Sequence, residues 1–206
     1  IMKSYKRTNN YMIKVCWIQH ASEWPLLKQI ARQLEGQGIE SKFVCINPEA
    51  HEQYSKDGFE SYLITHLLED NDRISNEEVA LVDSKYGPPG IRSIGKFDVR
   101  IDHLFGKNLG KKDKLIVRAY KFWEKFIKDH KIDYIIARES ATFATGTAYN
   151  VARNLEIPIA TLELGPGEEY FIMNDVEGAF AWKELIQALF YLNLKLNCQM
   201  KQPLPN

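Results

Sequence analysis

MIKVCWIQHASEWPLLKQIARQLEGQGIESKFVCI, residues 12–46, decides the fold class. It opens on an apolar run, Met12 to Gln19, rich in β formers. Leu26, Leu27, Ile30, Ala31 and Leu34 then recur at helical spacing and share one stripe. Ser22 is a candidate N-cap, and Pro25 falls in the first turn, where a missing N–H is tolerated. Gly36 and Gly38 stop the helix, and Lys42 to Ile46 forms a second strand-like run. Strand, helix, strand with so short a crossover implies parallel strands joined right-handedly.

The same alternation returns downstream. Asp133 to Ala137 reads as a strand, Ala144 to Leu155 as a helix with Ala148, Val151, Ala152 and Leu155 inward, and Ile157 to Leu162 as the next strand. Between the two βαβ blocks the chain is strongly segregated in charge. Residues 49–83 hold ten Asp/Glu against Lys56 and Arg73. Within them, 61–66 reads as a third strand, and Ser75 with Glu78 resembles a capping box opening a helix through Val82. YGPPGIRSIG, residues 86–95, reads as a long loop leading to Phe97–Asp102, because its prolines and glycines oppose regular structure. Lys111 to Lys131 reads as a basic amphipathic helix, eight Lys/Arg against three acids, with Ile116, Ala119, Trp123, Phe126 and Ile127 on its apolar face. A charge run of this kind is more often a solvated face than a phosphate or membrane contact.

These elements predict an α/β fold: one three-layer Rossmann-like domain over 12–180, with a mainly parallel sheet of at least five strands. In it, 133–137 and 157–162 are adjacent and parallel. Residues 1–11 read as a polar arm or an artificial extension. Residues 181–206 read as an amphipathic helix (Trp182 to Leu196) and an open tail leading toward a second domain.

Composition narrows the function classes. With 45% hydrophobic and 12% aromatic residues, the chain is not disordered. Lys+Arg and Asp+Glu both number 27, so a chain built mainly to grip nucleic acid is disfavoured. Three cysteines, Cys16, Cys45 and Cys198, without a CxxC spacing, read as reduced core thiols. No secretory leader and no membrane span is expected, and the expected location is cytoplasmic, with a peripheral position at the inner membrane as the alternative. No GxGxxG, P-loop, HExxH or GxSxG string is present, so a dinucleotide enzyme or an NTPase is disfavoured. No metal and no cofactor is expected.

Parallel α/β sheets bind ligands at the carboxyl ends of their strands. Three polar clusters fall there. Gln19-His20 follows the first strand, and His20 is a candidate general base, against an inert histidine at a helix start. Arg138-Glu139-Ser140 follows the strand at 133–137. The helix after it offers free N–H groups to an anion, with Arg138 adding charge; the alternative is a plain Ser140 or Thr142 cap and an Arg138–Glu139 ion pair. Glu163 ends the strand at 157–162 and precedes a turn with Gly165 and Gly167 that lets a ligand approach the backbone, then Glu169. His20 and Glu163 are the catalytic candidates. Arg138, Glu139, Ser140, Gly165, Gly167 and Glu169 are the substrate-binding candidates.

KFDVRIDHLFGKNL (96–109), KFWEKFIKDHKIDYII (121–136), ARESATF (137–143) and NLEIPIATLELGPGEEYF (154–171) together resemble the N-terminal half of bacterial capsular and surface polysaccharide glycosyltransferases. These belong to the two-domain GT-B type, including the capsule Kdo-transferase-like group. The similar features are the element at Asp98-Val99-Arg100, the strand entered through Ile132-Asp133, and Leu162-Glu163-Leu164-Gly165. The likeness runs from about Met12 to Ala181. The sequence departs from relatives at GPGEEYF, with Asn174–Gly178 filling the place of a further Asp-Gly element. The resemblance implies a glycan acceptor on this domain and a nucleotide-sugar donor on a second domain outside this chain. The 181–196 helix would then serve a peripheral membrane or homo-oligomer contact. The alternatives are a non-catalytic Rossmann-like binding or assembly module of a polysaccharide operon, or half of a sugar-nucleotide epimerase-like enzyme.

Overall fold

The computed structural model describes residues 12–19, 25–68, 73–87, 90–98, 108–137, 142–164 and 171–174. β1 (Ile13–Gln19), α1 (Pro25–Glu35) and β2 (Ile39–Cys45) form the opening unit in the order expected. α2 (Pro48–Lys56) leads to β3 (Glu60–Leu63), which runs into a 3₁₀ turn over Ile64–Leu68. Three helices follow, α3 (Asn76–Tyr86), α4 (Ile91–Phe97) and α5 (Leu109–His130). β4 (Tyr134–Ala137), α6 (Phe143–Asn154), β5 (Ile159–Leu164) and β6 (Phe171–Asn174) complete the described chain.

The six strands make one sheet in the order β3-β2-β1-β4-β5-β6. The first five are parallel, with Ile135 opposite Ile159 across the predicted β4–β5 pair. β6, which no sequence pattern announced, adds antiparallel to β5. The pleat of β1 divides the core, since successive side chains point to opposite faces. Val15 and Trp17 face α1 and α2, packing with Leu27, Ala31, Phe43 and Tyr54. Cys16 and Ile18 face the other layer, packing with Val44, Ile116, Trp123 and Val151. Both faces of β1 are covered, which is why its sequence is continuously apolar rather than alternating.

One helix is added to the expected elements, and one expectation is corrected. Residues 48–56 form a helix, with Asn47 accepting from the Glu49 N–H at 2.7 Å and Pro48 at the first position. The segment 86–95 is not a loop throughout: 91–97 is helical, and Gly90 is its N-cap. Asp83 supplies the side-chain cap that Gly90 lacks, accepting from the Ile91 N–H at 2.6 Å. Gly95, which suggested a break, lies inside the helix at a close approach to α5. A Cβ there would sit 3.1 Å from Ile116 Cδ1 on α5.

α5 organises the second layer. All five residues expected on its apolar face are buried. The Trp123 indole donates to the Ala144 carbonyl at 2.9 Å, and the Asn150 amide donates to the Tyr120 hydroxyl at 2.7 Å, fixing α5 against α6. His130, in its last turn, lies 3.7 Å from Glu60, the first residue of β3. α5 therefore runs against the strands, with its last turn at their amino edge. Its first turn lies about 33 Å away, toward their carboxyl edge.

Candidate functional site

The strand order turns back at β1 and β4. The connection leaving β1 crosses one face through α1, whereas α5 enters and α6 leaves β4 on the other face. The carboxyl ends of these neighbouring strands therefore mark the switch point of the sheet, the usual ligand position in an open α/β sheet. Gln19 ends β1 and is fully buried. Its carbonyl accepts from the Ile46 N–H at 2.8 Å, tying the β1 and β2 ends together. Ile18 is in register with Ala137, the last residue of β4.

Of the sequence candidates, His20, Arg138, Glu139, Ser140, Gly165, Gly167 and Glu169 lie outside the described residues. Residues 181–206, with the expected terminal helix and Cys198, lie outside them as well. Glu163 lies in β5 opposite Ile172 of β6. It is thus flanked by β6 on one side, a neighbour the sequence reading did not supply. β1, β4 and β5 end on one edge of the sheet because they are parallel and consecutive in it.

The start of α6 answers one of the two readings of that helix. The Thr142 hydroxyl accepts from the Thr145 N–H at 3.0 Å, and the Thr142 N–H donates to the Thr145 hydroxyl at 3.2 Å, a reciprocal capping box. Asp98, itself buried, accepts from the Phe143 N–H at 2.9 Å. The positive end of the helix thus already holds a carboxylate from this chain. The cap reading prevails at Thr142, and the expectation of free N–H groups fails at Phe143 and Thr145. Sequence reasoning named Asp98 only through a resemblance. Its role is visible in three dimensions alone, since 45 residues separate it from Phe143.

Several charges among the described residues pair across elements. On α5, Lys121 pairs with Glu78 of α3 at 2.5 Å, Lys85 of α3 pairs with Glu124, and Lys125 pairs with Asp129 at 2.5 Å. The acidic and basic segments of the sequence thus partly neutralise each other across α3 and α5. Cys16 and Cys45 are buried free thiols, as expected. Burial pushes both up in pKa, Cys45 to about 11, so neither is a thiolate nucleophile at neutral pH. Among the described residues, no group of three or more His, Cys, Asp or Glu could hold a metal ion, and no helix is long and apolar enough to cross a membrane.

A second concavity went unread in the sequence. It is a groove of about 610 Å³ between α3, α4 and the first turn of α5, lined by Asn76, Val79, Asp83, Arg92, Leu109 and Asp113 among others. Burial raises the pKa of Asp113, the Asp83 charge raises it further, and the Arg92 guanidinium opposes the rise. The sequence signal was faint: three charged residues spread over 83–113, on segments of which one was read as a loop.

No family model matches the chain, and no curated protein matches it. The chain is similar in part to two solved structures. One is a glycosyltransferase from Rickettsia africae ESF-5, at 12% identity and a TM-score of 0.40, over 72% of this chain and 29% of that one. The other is a CDPS from Fluoribacter dumoffii, at 8% identity and a TM-score of 0.42, over 77% of this chain and 90% of that one. The chain thus spans under a third of the Rickettsia protein.

Proposed function

We propose that this chain is the acceptor-side domain of a GT-B-type glycosyltransferase acting on a cell-surface polysaccharide, with its ligand at the crevice between the carboxyl ends of β1 and β4. The observation that supports the reading is the strand order β3-β2-β1-β4-β5-β6, whose switch point falls between β1 and β4, where open α/β sheets take their ligands. Fold alone does not assign chemistry; the transferase class is supported by the motifs at 96–109, 121–143 and 154–171. His20, Arg138, Glu139, Ser140, Glu163 and Glu169 follow or end the strands that border the crevice and its flank.

In this reading His20 or Glu163 accepts the proton of the attacking acceptor hydroxyl. The hydroxyl oxygen bonds to the anomeric carbon of the donor sugar, and the nucleotide leaves with the electrons of the broken glycosidic bond. Arg138 holds an acidic sugar or phosphate through its forked donors. The donor would be bound by a second domain, so this chain alone transfers nothing.

Hydrogen exchange tests the location. An acceptor oligosaccharide should protect amides at the ends of β1 and β4, near Gln19 and Ala137. Protection confined to other surfaces refutes the crevice. Turnover tests the chemistry: in the two-domain enzyme, screened against nucleotide-sugar donors by product mass, Glu163→Gln should lower turnover on the order of a hundredfold while leaving Tm unchanged. Full turnover by residues 1–206 alone refutes the division of labour.

A further inference from the structure

We propose that the groove between α3, α4 and the first turn of α5 is a binding site for a neutral sugar unit, separate from the crevice at β1 and β4. The groove's own lining points to this ligand class, whatever the crevice binds. At about 610 Å³ the groove falls within the range of small-molecule sites, roughly 300–1,000 Å³.

Its charges exclude the simpler ligands. Asp83 and Asp113 both line it, which disfavours a phosphate or a carboxylate. Arg92 lines it too, which disfavours a metal cation, and the burial that raises the Asp113 pKa also disfavours the charged form a cation would need. What remains suits a ligand whose groups both donate and accept. Vicinal hydroxyls do so, and carboxyl, guanidinium and amide groups are flat partners that meet them in pairs. Asp83, Arg92, Asp113 and Asn76 supply that set. Leu109, half-exposed at 50%, and Val79 supply apolar surface for the C–H face of a sugar ring.

One of the polar groups is held in place before any ligand arrives. Asp83 accepts from the Ile91 N–H at 2.6 Å. A Cβ on Gly90 would fall 2.7 Å from the same oxygen, so glycine there is what lets the carboxylate reach its partner. That fixation lowers the ordering cost of binding. The groove also lies on the half of the molecule toward the carboxyl edge, where the first turn of α5 ends up.

The test uses the whole 206-residue chain and three neutral disaccharides, maltose, cellobiose and lactose, in saturation-transfer difference NMR. At least one should receive transfer. Arg92→Ala and Leu109→Ser should each weaken it about tenfold, the loss of one good contact. Circular dichroism confirms folding, and Leu109→Ser at the exposed rim decides the matter where Arg92→Ala fails to fold. No transfer to any of the three sugars, or transfer unchanged in the variants, overturns the proposal. So does competition for the groove by inorganic phosphate or Mg²⁺. Loss of amide protection at β1 and β4 with the groove intact would instead count against the crevice reading alone.

Discussion

The two ends of α5 handle buried charge in opposite ways. At its last turn, His130 joins a network in which charges answer one another. Lys42, 4% exposed, pairs with Glu40 at 2.6 Å and with Glu60; Lys14 reaches Glu40 at 3.5 Å, and the Tyr62 hydroxyl donates to Glu60. At its first turn, Asp113 sits in a groove where its charge is disfavoured by burial and by Asp83. The amino edge of the sheet is closed electrostatics; the opposite end keeps an open, mismatched set. Stability and binding make different demands, and groups whose charge is disfavoured by burial gather at functional sites.

Removing the centre of the closed network should have the largest effect. Lys42→Met leaves Glu40 and Glu60 facing each other. A fully buried pair broken this way costs about 3–5 kcal/mol. Glu60 keeps nearly half its side-chain exposure, 47%, so water softens the loss. We expect about 2–3 kcal/mol after that discount, read as a lower urea midpoint with an unchanged slope. An unchanged midpoint would mean the network contributes specificity at most.

Asp98→Ala should cost somewhat less, about 1–3 kcal/mol, since it strands a buried N–H at Phe143 and removes a charge from the helix start. Asp98→Asn keeps an acceptor and should recover part of it. Comparable losses for both would place the effect in the charge rather than in the hydrogen bond. Gly90→Ala comes next at about 1 kcal/mol. It displaces Asp83 from the Ile91 N–H, and it should weaken sugar binding in the groove along with the α4 cap.

The contrast between the ends of α5 was half legible in the sequence. The buried face of α5 could be read because helical periodicity selects it, and β1, β2 and β4 because both their faces are apolar. α2 carried a start signal in Asn47-Pro48 but little apolar periodicity, having only Ala50 and Tyr54 buried. α4 was hidden by Gly95, which lies close against the Ile116 side chain twenty-one positions away. The site was legible only as an edge. Parallel strands fix where Gln19, Ala137 and Leu164 end, but the Asp98 cap and the Asp83–Arg92–Asp113 groove depend on contacts that no local pattern encodes.

The smallest effect distinguishes the two ends by sign. Burial, first, and the Lys42 charge hold His130 below its ordinary 6.5, against the pull of Glu60 and Asp129. The unfolded chain then binds the proton more readily, so stability falls as pH drops below about 6.5 toward the folded value. Glu40 and Glu60 are held below 4.5, so their contribution disappears in turn as pH falls through their folded values. Asp113 behaves oppositely. Its folded pKa is raised above 3.8, so the native state takes up the proton first, and its charge opposes folding once pH exceeds the folded value. His130→Gln should therefore remove part of the slope of stability against pH just below 6.5. Asp113→Asn should raise the urea midpoint at neutral pH and lose that advantage as pH falls toward 3.8, where the wild-type carboxyl is already protonated. A midpoint lowered by Asp113→Asn at neutral pH would mean that the Asp113 charge is used by Arg92, and the groove would join the closed network rather than oppose it.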